Sequence, residues 1–205
     1  AFTSQFVPVN RWYRAEMKGE DRVAGYDVVS VALTARDDSR YSHRLWLEKS
    51  TGLLVKSHVR NAEGEVLEHF QFTSLNIGEN IPDTEFEIRS QGREISRTLD
   101  ESAPQASVVQ RMDGWRLGWR PDGFVPAAAP RSGKGQEVAF SDGLAAFSVF
   151  VEPAGAVDMP TGASLIGATT VYMHQMQEGN SVFLVTVVGE LPPQTARRVA
   201  ESVRV

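Results

Sequence analysis

Between Trp12 and Thr73 apolar and polar residues alternate in runs separated only by short polar turns, and that pattern admits little besides an antiparallel sheet. The runs cover residues 13–18, 23–35, 41–48, 53–60 and 66–73. Between them stand Gly19-Glu20-Asp21, Arg36-Asp37-Asp38-Ser39, Lys49-Ser50-Thr51-Gly52 and Asn61-Ala62-Glu63-Gly64. Such residues reverse a chain because their side chains bond to nearby backbone or tolerate positive φ. Val29, Val31 and Leu33 share one face of their run, opposite Ser30, Ala32 and Thr34. His43, Leu45 and Leu47 lie opposite Arg44, Trp46 and Glu48, and Val66, Phe70 and Phe72 lie opposite His69, Gln71 and Thr73. One face of the sheet is therefore expected to be dry and the other wet. No amphipathic helical period occurs in residues 1–98, so a preceding segment outside this sequence is expected to close the layer.

The alternation lapses at residues 99–110, where small polar residues and Pro104 take over. We expect a linker at residues 99–108, dividing a unit at 1–98 from a second at 109–205. In the second unit Trp115 and Trp119 bracket a short strand that ends in the turn Pro121-Asp122-Gly123-Phe124. Residues 125–136, rich in Ala, Pro and Gly, read as a loop. Residues 138–140 and 144–151 form a predicted hairpin about Ser141-Asp142-Gly143, and residues 169–176 and 181–189 another about Gln177-Glu178-Gly179-Asn180. The run at 181–189 is apolar on both faces and should be central. Pro192-Pro193 stops it, and Ala196, Val199, Ala200 and Val203 have the spacing of one amphipathic helix over 195–203. The expected fold is mostly β, the second unit being α+β with a C-terminal helix.

Cysteine is absent, which removes disulfides, thiolate metal sites and a Cys nucleophile. The formal net charge of −5 disfavours nonspecific nucleic-acid binding, so no nucleic-acid partner is expected. No run reaches the roughly 20 apolar residues that a spanning helix needs. His43, His58, His69 and His174 lack metal-ligand spacing. Ser141, Asp142 and His174 offer the residue types of a nucleophilic triad, but Asp142-Gly143 is better explained as a turn. Ser132-Gly133-Lys134-Gly135 lacks the length and the Ser/Thr of a phosphate loop. We expect no catalytic residue, no metal and no cofactor. One feature leaves two readings open. Leu45, Leu47, Val55, Phe70 and Phe72, with Trp12 and Trp46 nearby, form either an ordinary core or the concave face of a half-open barrel that takes an acyl chain.

Two groups of segments carry a family resemblance. In the first unit they are Val23-Ala24-Gly25-Tyr26-Asp27, Arg40-Tyr41-Ser42-His43-Arg44-Leu45-Trp46-Leu47 and Thr51-Gly52-Leu53-Leu54. In the second they are Phe140-Ser141-Asp142-Gly143-Leu144-Ala145-Ala146-Phe147-Ser148-Val149-Phe150-Val151-Glu152 and Val185-Thr186-Val187-Val188-Gly189-Glu190-Leu191-Pro192-Pro193-Gln194-Thr195-Ala196. In this order and spacing they resemble the RseB/MucB family, periplasmic regulators of the envelope-stress sigma factor.

The resemblance implies an N-terminal domain like the lipoprotein carriers of the LolA/LolB type, present here as an incomplete half-open antiparallel β-barrel, followed by a small α+β domain. It further implies binding to the periplasmic segment of a membrane anti-sigma factor of the RseA/MucA type. That binding would shield the segment from site-1 proteolysis and keep the envelope-stress and alginate sigma factor repressed, until lipid or lipopolysaccharide triggers release. The linker after residue 98 would be the hinge, and a homodimer is compatible with this reading. For the partner surface we nominate Trp119, Phe124, Ser141, Asp142, Tyr172 and His174. A lipid or lipoprotein carrier of the LolA type is the alternative. An envelope hydrolase is a weaker one, lacking a paired nucleophile and base.

Overall fold

The structure, a computed structural model, describes residues 9–78, 114–127, 136–154 and 160–204. The first unit is an antiparallel meander of β1 (Tyr13–Val23), β2 (Tyr26–Ala35), β3 (Ser42–Glu48), β4 (Leu54–Arg60) and β5 (Val66–Gln71), each strand paired with the next. The second is a six-stranded sheet of β7 (Val125–Ala127), β8 (Gln136–Ser141), β9 (Ala146–Pro153), β10 (Gly162–Ile166), β11 (Thr169–Glu178) and β12 (Ser181–Gly189), in the order β10-β11-β12-β9-β8-β7. The helix α1 (Pro193–Glu201) follows, and β6 (Arg116–Leu117) pairs with β13 (Val203–Arg204) beneath it. Mostly β with one longer helix and sheets that do not close on themselves, the fold is the class read from the sequence.

Several local features depart from the sequence reading. Gly19-Glu20-Asp21 is not a turn: β1 runs through it, with a register shift between Met17 and Gly19. Gly19 sits at φ 127, so the glycine absorbs a bulge. The reversal comes at Ala24-Gly25, both at positive φ, which closes a two-residue hairpin on the Val23–Tyr26 pair. Residues 125–127, read as loop, form an edge strand against β8, while the rest of that loop and the linker at 99–108 lie outside the described residues. The pattern gives no sign of β10, because Gly162-Ala163-Ser164 has no alternation, nor of β13, because a two-residue strand has no period; the helix expected over 195–203 spans 193–201 instead, and Val203 leaves it to pair with Leu117.

The core of the second unit lies between its sheet and α1. Phe147, Val149 and Val151 of β9, Val185 and Val187 of β12, and Val138 and Phe140 of β8 point the same way and are buried. Ala196, Val199 and Ala200 of α1 and Val203 of β13 close over them. Pro193 occupies the first helical turn, where its fixed φ suits the helix and its missing N–H costs nothing. No side chain caps that end. At Gly189 a Cβ would overlap Phe147 and the Ala146 carbonyl, so β9 and β12 can approach only over a glycine. Gly189→Ala should therefore destabilise the protein by about 2 kcal/mol through overpacking, read as a lower urea midpoint with the slope unchanged.

Candidate functional site: the junction of the two sheets

The two units meet around a buried ion pair. Arg40, at the end of the turn before β3, has a fully buried side chain. Its Nη1 donates to Asp142 Oδ2 at 2.8 Å, its guanidinium pairs with Asp37 at 3.0 Å, and a further bond reaches the Asp122 carbonyl. Asp142 accepts four hydrogen bonds, one of them from Arg40. Its Oδ2 also accepts the Tyr13 hydroxyl at 2.6 Å, and its Oδ1 accepts the backbone N–H groups of Leu144 and Ala145 at 2.9 and 2.8 Å. Three aromatic rings from both units enclose the guanidinium: Trp12 at 5.2 Å, Tyr13 at 5.8 Å and Phe124 at 5.1 Å. Trp12 lies so close over Gly123 that a Cβ there would overlap its indole, and Gly123 is also at φ 85. Burial lowers the Arg40 pKa, but the carboxylates of Asp37 and Asp142 more than offset it, so the net shift is upward. Burial, with the Asp142 charge and hydrogen bond adding to it, pushes the Tyr13 phenol far up.

A second contact stands at the other side. The N–H of Ala168 donates to Glu68 Oε2 at 3.2 Å, and Ala168 is buried with Tyr41 and Val59. Burial, and then the Glu68 charge across the junction, raises the Glu190 pKa. Between these contacts opens a cleft of about 520 Å³, lined from the first unit by the turns at Arg36, Asp38, Asn61 and Glu63 and from the second by Leu165 and Gln194.

The residues nominated from the sequence fall into different places. The apolar set does not share one face. Leu45 is buried with Tyr13 and Leu33, next to Trp12 and Leu144. Trp46 and Val55 are buried with Val23 and Val28 on the opposite face, with Phe72 packed against them. The pairing of β3 with β4 shifts register after Trp46, and this bulge carries Val55 to the Trp46 side. Leu47 is half-buried, and Phe70 is 45% exposed with its ring 4.9 Å from Phe72. On the Leu45 face Met17 and Phe70 remain exposed, so the described residues cover that face only in part.

Of the partner set, Phe124 and Asp142 are buried in the junction and its core rather than presented to solvent. Ser141 donates to the Ala145 carbonyl and accepts the Gly143 N–H, as a turn residue does. Trp119 is half-buried beneath the Arg198 guanidinium at 3.9 Å, and Tyr172 and His174 are half-buried on β11. His174 pairs across the ladder with Val185 and is not brought to Ser141. Among the described residues no three His, Asp or Glu side chains gather as a metal site.

Arg40, Tyr13 and Gly123 were missed. The only signal in the sequence was that Arg40 opens one segment of the family resemblance; its partner Asp142 stands 102 residues away, where no local period can reveal it.

Two antiparallel sheets joined at a buried ion pair, with a cleft beside it, define a mostly β, two-sheet class of fold. The family model described as MucB/RseB N-terminal domain matches residues 1–90, and that of the MucB/RseB C-terminal domain residues 109–204. The chain belongs to the MucB/RseB family. It is 36% identical over 199 residues to the sigma factor AlgU regulatory protein MucB of Pseudomonas aeruginosa, covering 94% of this chain and 61% of that protein. With the sigma-E factor regulatory protein RseB of Haemophilus influenzae it shares 29% identity over 91% of this chain and 58% of the relative. The chain thus spans about three fifths of the length of the curated relatives it matches. Crystallised MucB in complex with MucA(peri) superposes with a TM-score of 0.79 at 34% identity, over 97% of this chain and 70% of that one. MucB crystallised as itself gives 0.70, over 98% and 65%.

Two outcomes follow from the junction. Asp142→Asn leaves Arg40 buried without its full countercharge and should cost about 3 kcal/mol in urea unfolding. The apolar double change Asp142→Leu with Arg40→Met should recover much of that loss. His43 is buried against the Tyr13 ring at 6.0 Å, its Nε2 without a partner. Burial lowers its pKa to about 4, against the opposing Asp142 charge. The fold thus holds His43 neutral, while the unfolded chain takes up a proton below about 6.5. Its contribution to stability is full above that value and declines as pH falls toward about 4, by on the order of 3 kcal/mol. His43→Phe should flatten this part of the stability–pH profile measured by thermal unfolding.

Proposed function

We propose that this chain acts in the periplasm as a regulatory binding protein without catalysis, holding the periplasmic segment of a membrane anti-sigma factor of the RseA/MucA type. By hiding the segment from site-1 proteolysis it keeps the envelope-stress sigma factor repressed. The observation that carries this reading is likeness across both domains to a MucB solved in complex with MucA(peri), at 34% identity and a TM-score of 0.79. The domain division at the 99–108 linker belongs to the same proposal.

Release by lipid or lipopolysaccharide completes the reading. An apolar ligand on the Leu45 face, beside exposed Met17 and Phe70, would favour one domain arrangement over another. It can shift the balance only as far as its affinities for the two arrangements differ. A carrier of the LolA type draws on the same exposed apolar side chains. The two are separated by titrating the chain with the purified periplasmic segment of a MucA-type protein, by calorimetry. The regulatory reading expects a saturable one-to-one complex that slows cleavage of the segment by its site-1 protease at least about ten-fold, or about 1.4 kcal/mol. A chain that extracts acyl cargo from vesicles yet leaves the segment unbound is a carrier.

A further inference from the structure

The face of the first sheet that carries Trp46 holds an unexplained concentration of positive charge. Register places Ala32, Arg44, His58 and His69 in one row across β2, β3, β4 and β5, and Ser30, Trp46, Lys56 and Gln71 in the next. Arg60 joins from the row beyond, its Nη2 3.2 Å from His58 Nδ1. Trp46, 5% exposed, is the floor. The Arg44 guanidinium lies 5.1 Å from its ring centroid, Lys56 Nζ 4.5 Å and the His58 ring 4.7 Å, with the His69 ring 6.3 Å beyond His58.

The chain as a whole has a net charge of −5, yet among the described residues none of these five side chains has a salt-bridge partner. Glu16, on the same face, is taken by Lys18 at 2.9 Å. Glu48 is taken by the hydroxyls and N–H groups of Ser50 and Thr51, which hold its pKa down to about 2. Arg44 Nε donates only to the Ser30 hydroxyl, and Arg60 Nε is buried without a partner. Desolvation first, and then Lys56, Arg60, His69 and Arg44, lower the His58 pKa, which is the mark of like charges crowded together. Ordinary solvated faces interleave both signs; here cations converge on one aromatic plate with unused donors.

We propose that Arg44, Lys56, His58, Arg60 and His69 form a binding site for phosphate-type anions, the Trp46 ring setting the spacing of the donors. At about 4.8 Å per strand the Arg44-His58-His69 row is about 10 Å long, which suits a pyrophosphate or a pair of neighbouring phosphates rather than an extended polymer. The site lies on the face opposite Leu45 and needs neither the anti-sigma segment nor the apolar surface.

Inorganic pyrophosphate titrated into the full chain should move the His58 and His69 imidazole resonances saturably and raise the apparent His58 pKa. His174, in the second unit, should stay still. Arg44→Gln combined with Lys56→Gln should weaken binding about ten-fold or more, and added salt should weaken it in the wild type. The control Arg22→Gln, on a pair exposed elsewhere, should change nothing. Should the double variant disturb the near-ultraviolet signal of Trp46, the exposed His69→Gln alone carries the test, with an expected loss of about three-fold.

Sedimentation with phosphatidylglycerol vesicles, against phosphatidylcholine vesicles, identifies the source. Capture by the former together with the pyrophosphate response, both lost in the variant, assigns a lipid headgroup; the pyrophosphate response alone assigns a free phosphate. Unmoved His58 and His69 at millimolar pyrophosphate, equal affinity in the variant, or vesicle capture without a pyrophosphate response overturns the site. None of these readouts involves the anti-sigma segment, so the regulatory reading stands or falls separately.

Discussion

The Arg40–Asp142 pair is the constraint on which the arrangement depends. A guanidinium and a carboxylate with fully buried side chains are tolerable only when countercharge and hydrogen bonds replace water, and here each draws its partners from both units at once. Asp142 is fixed by its own turn through Leu144 and Ala145, so it presents a rigid acceptor to the first unit. Arg40 is fixed by Asp37 of its own turn and enclosed by Trp12, Tyr13 and Phe124. Separating the units would bare both charges or strand one of them, so the contact is made completely or not at all.

The meander uses both of its faces. At the Tyr13 end the Leu33 and Leu45 side is covered, next to Leu144 of the second unit; at the other end the Trp46 and Val28 side is covered by Phe72 and Leu75. Burial therefore crosses the sheet between Leu45 and Trp46, consecutive residues that are both buried. The bulge in β4 and the register shift in β1 allow this, since each changes which side chains a strand offers along its length. What remains open is divided too: apolar side chains about Met17 and Phe70 on one face, cations about Trp46 on the other. Two chemically distinct surfaces thus sit back to back on one sheet.

Alternation and turn chemistry were enough to establish five antiparallel strands in order, two hairpins of the second sheet and the closing helix, because each of these is decided by neighbours within ten residues or so. Ser141 and Asp142 form the turn that their residue types imply, for the same local reason. Local pattern failed where two conformations share one composition. Gly19-Glu20-Asp21 suits a turn as well as a bulge, and only the partner strand decides.

The site was legible only in part. Asp142 was singled out, but as a residue facing a partner; its bonds to Tyr13 and Arg40 span 129 and 102 residues. The apolar face was read as continuous because parity along a strand is kept until a bulge breaks it, and the β4 bulge is visible only against β3. The sequence by itself determined the five-strand meander, two hairpins of the second sheet, the closing helix and the family, since these rest on period and on motifs a few residues long. Only the tertiary structure decided which charge is buried against which, which side of the sheet is dry at each end, and that Arg44, His58 and His69 stand in one row. Those depend on register and on contacts across the junction, where energy is set by distance in space and not by distance along the chain.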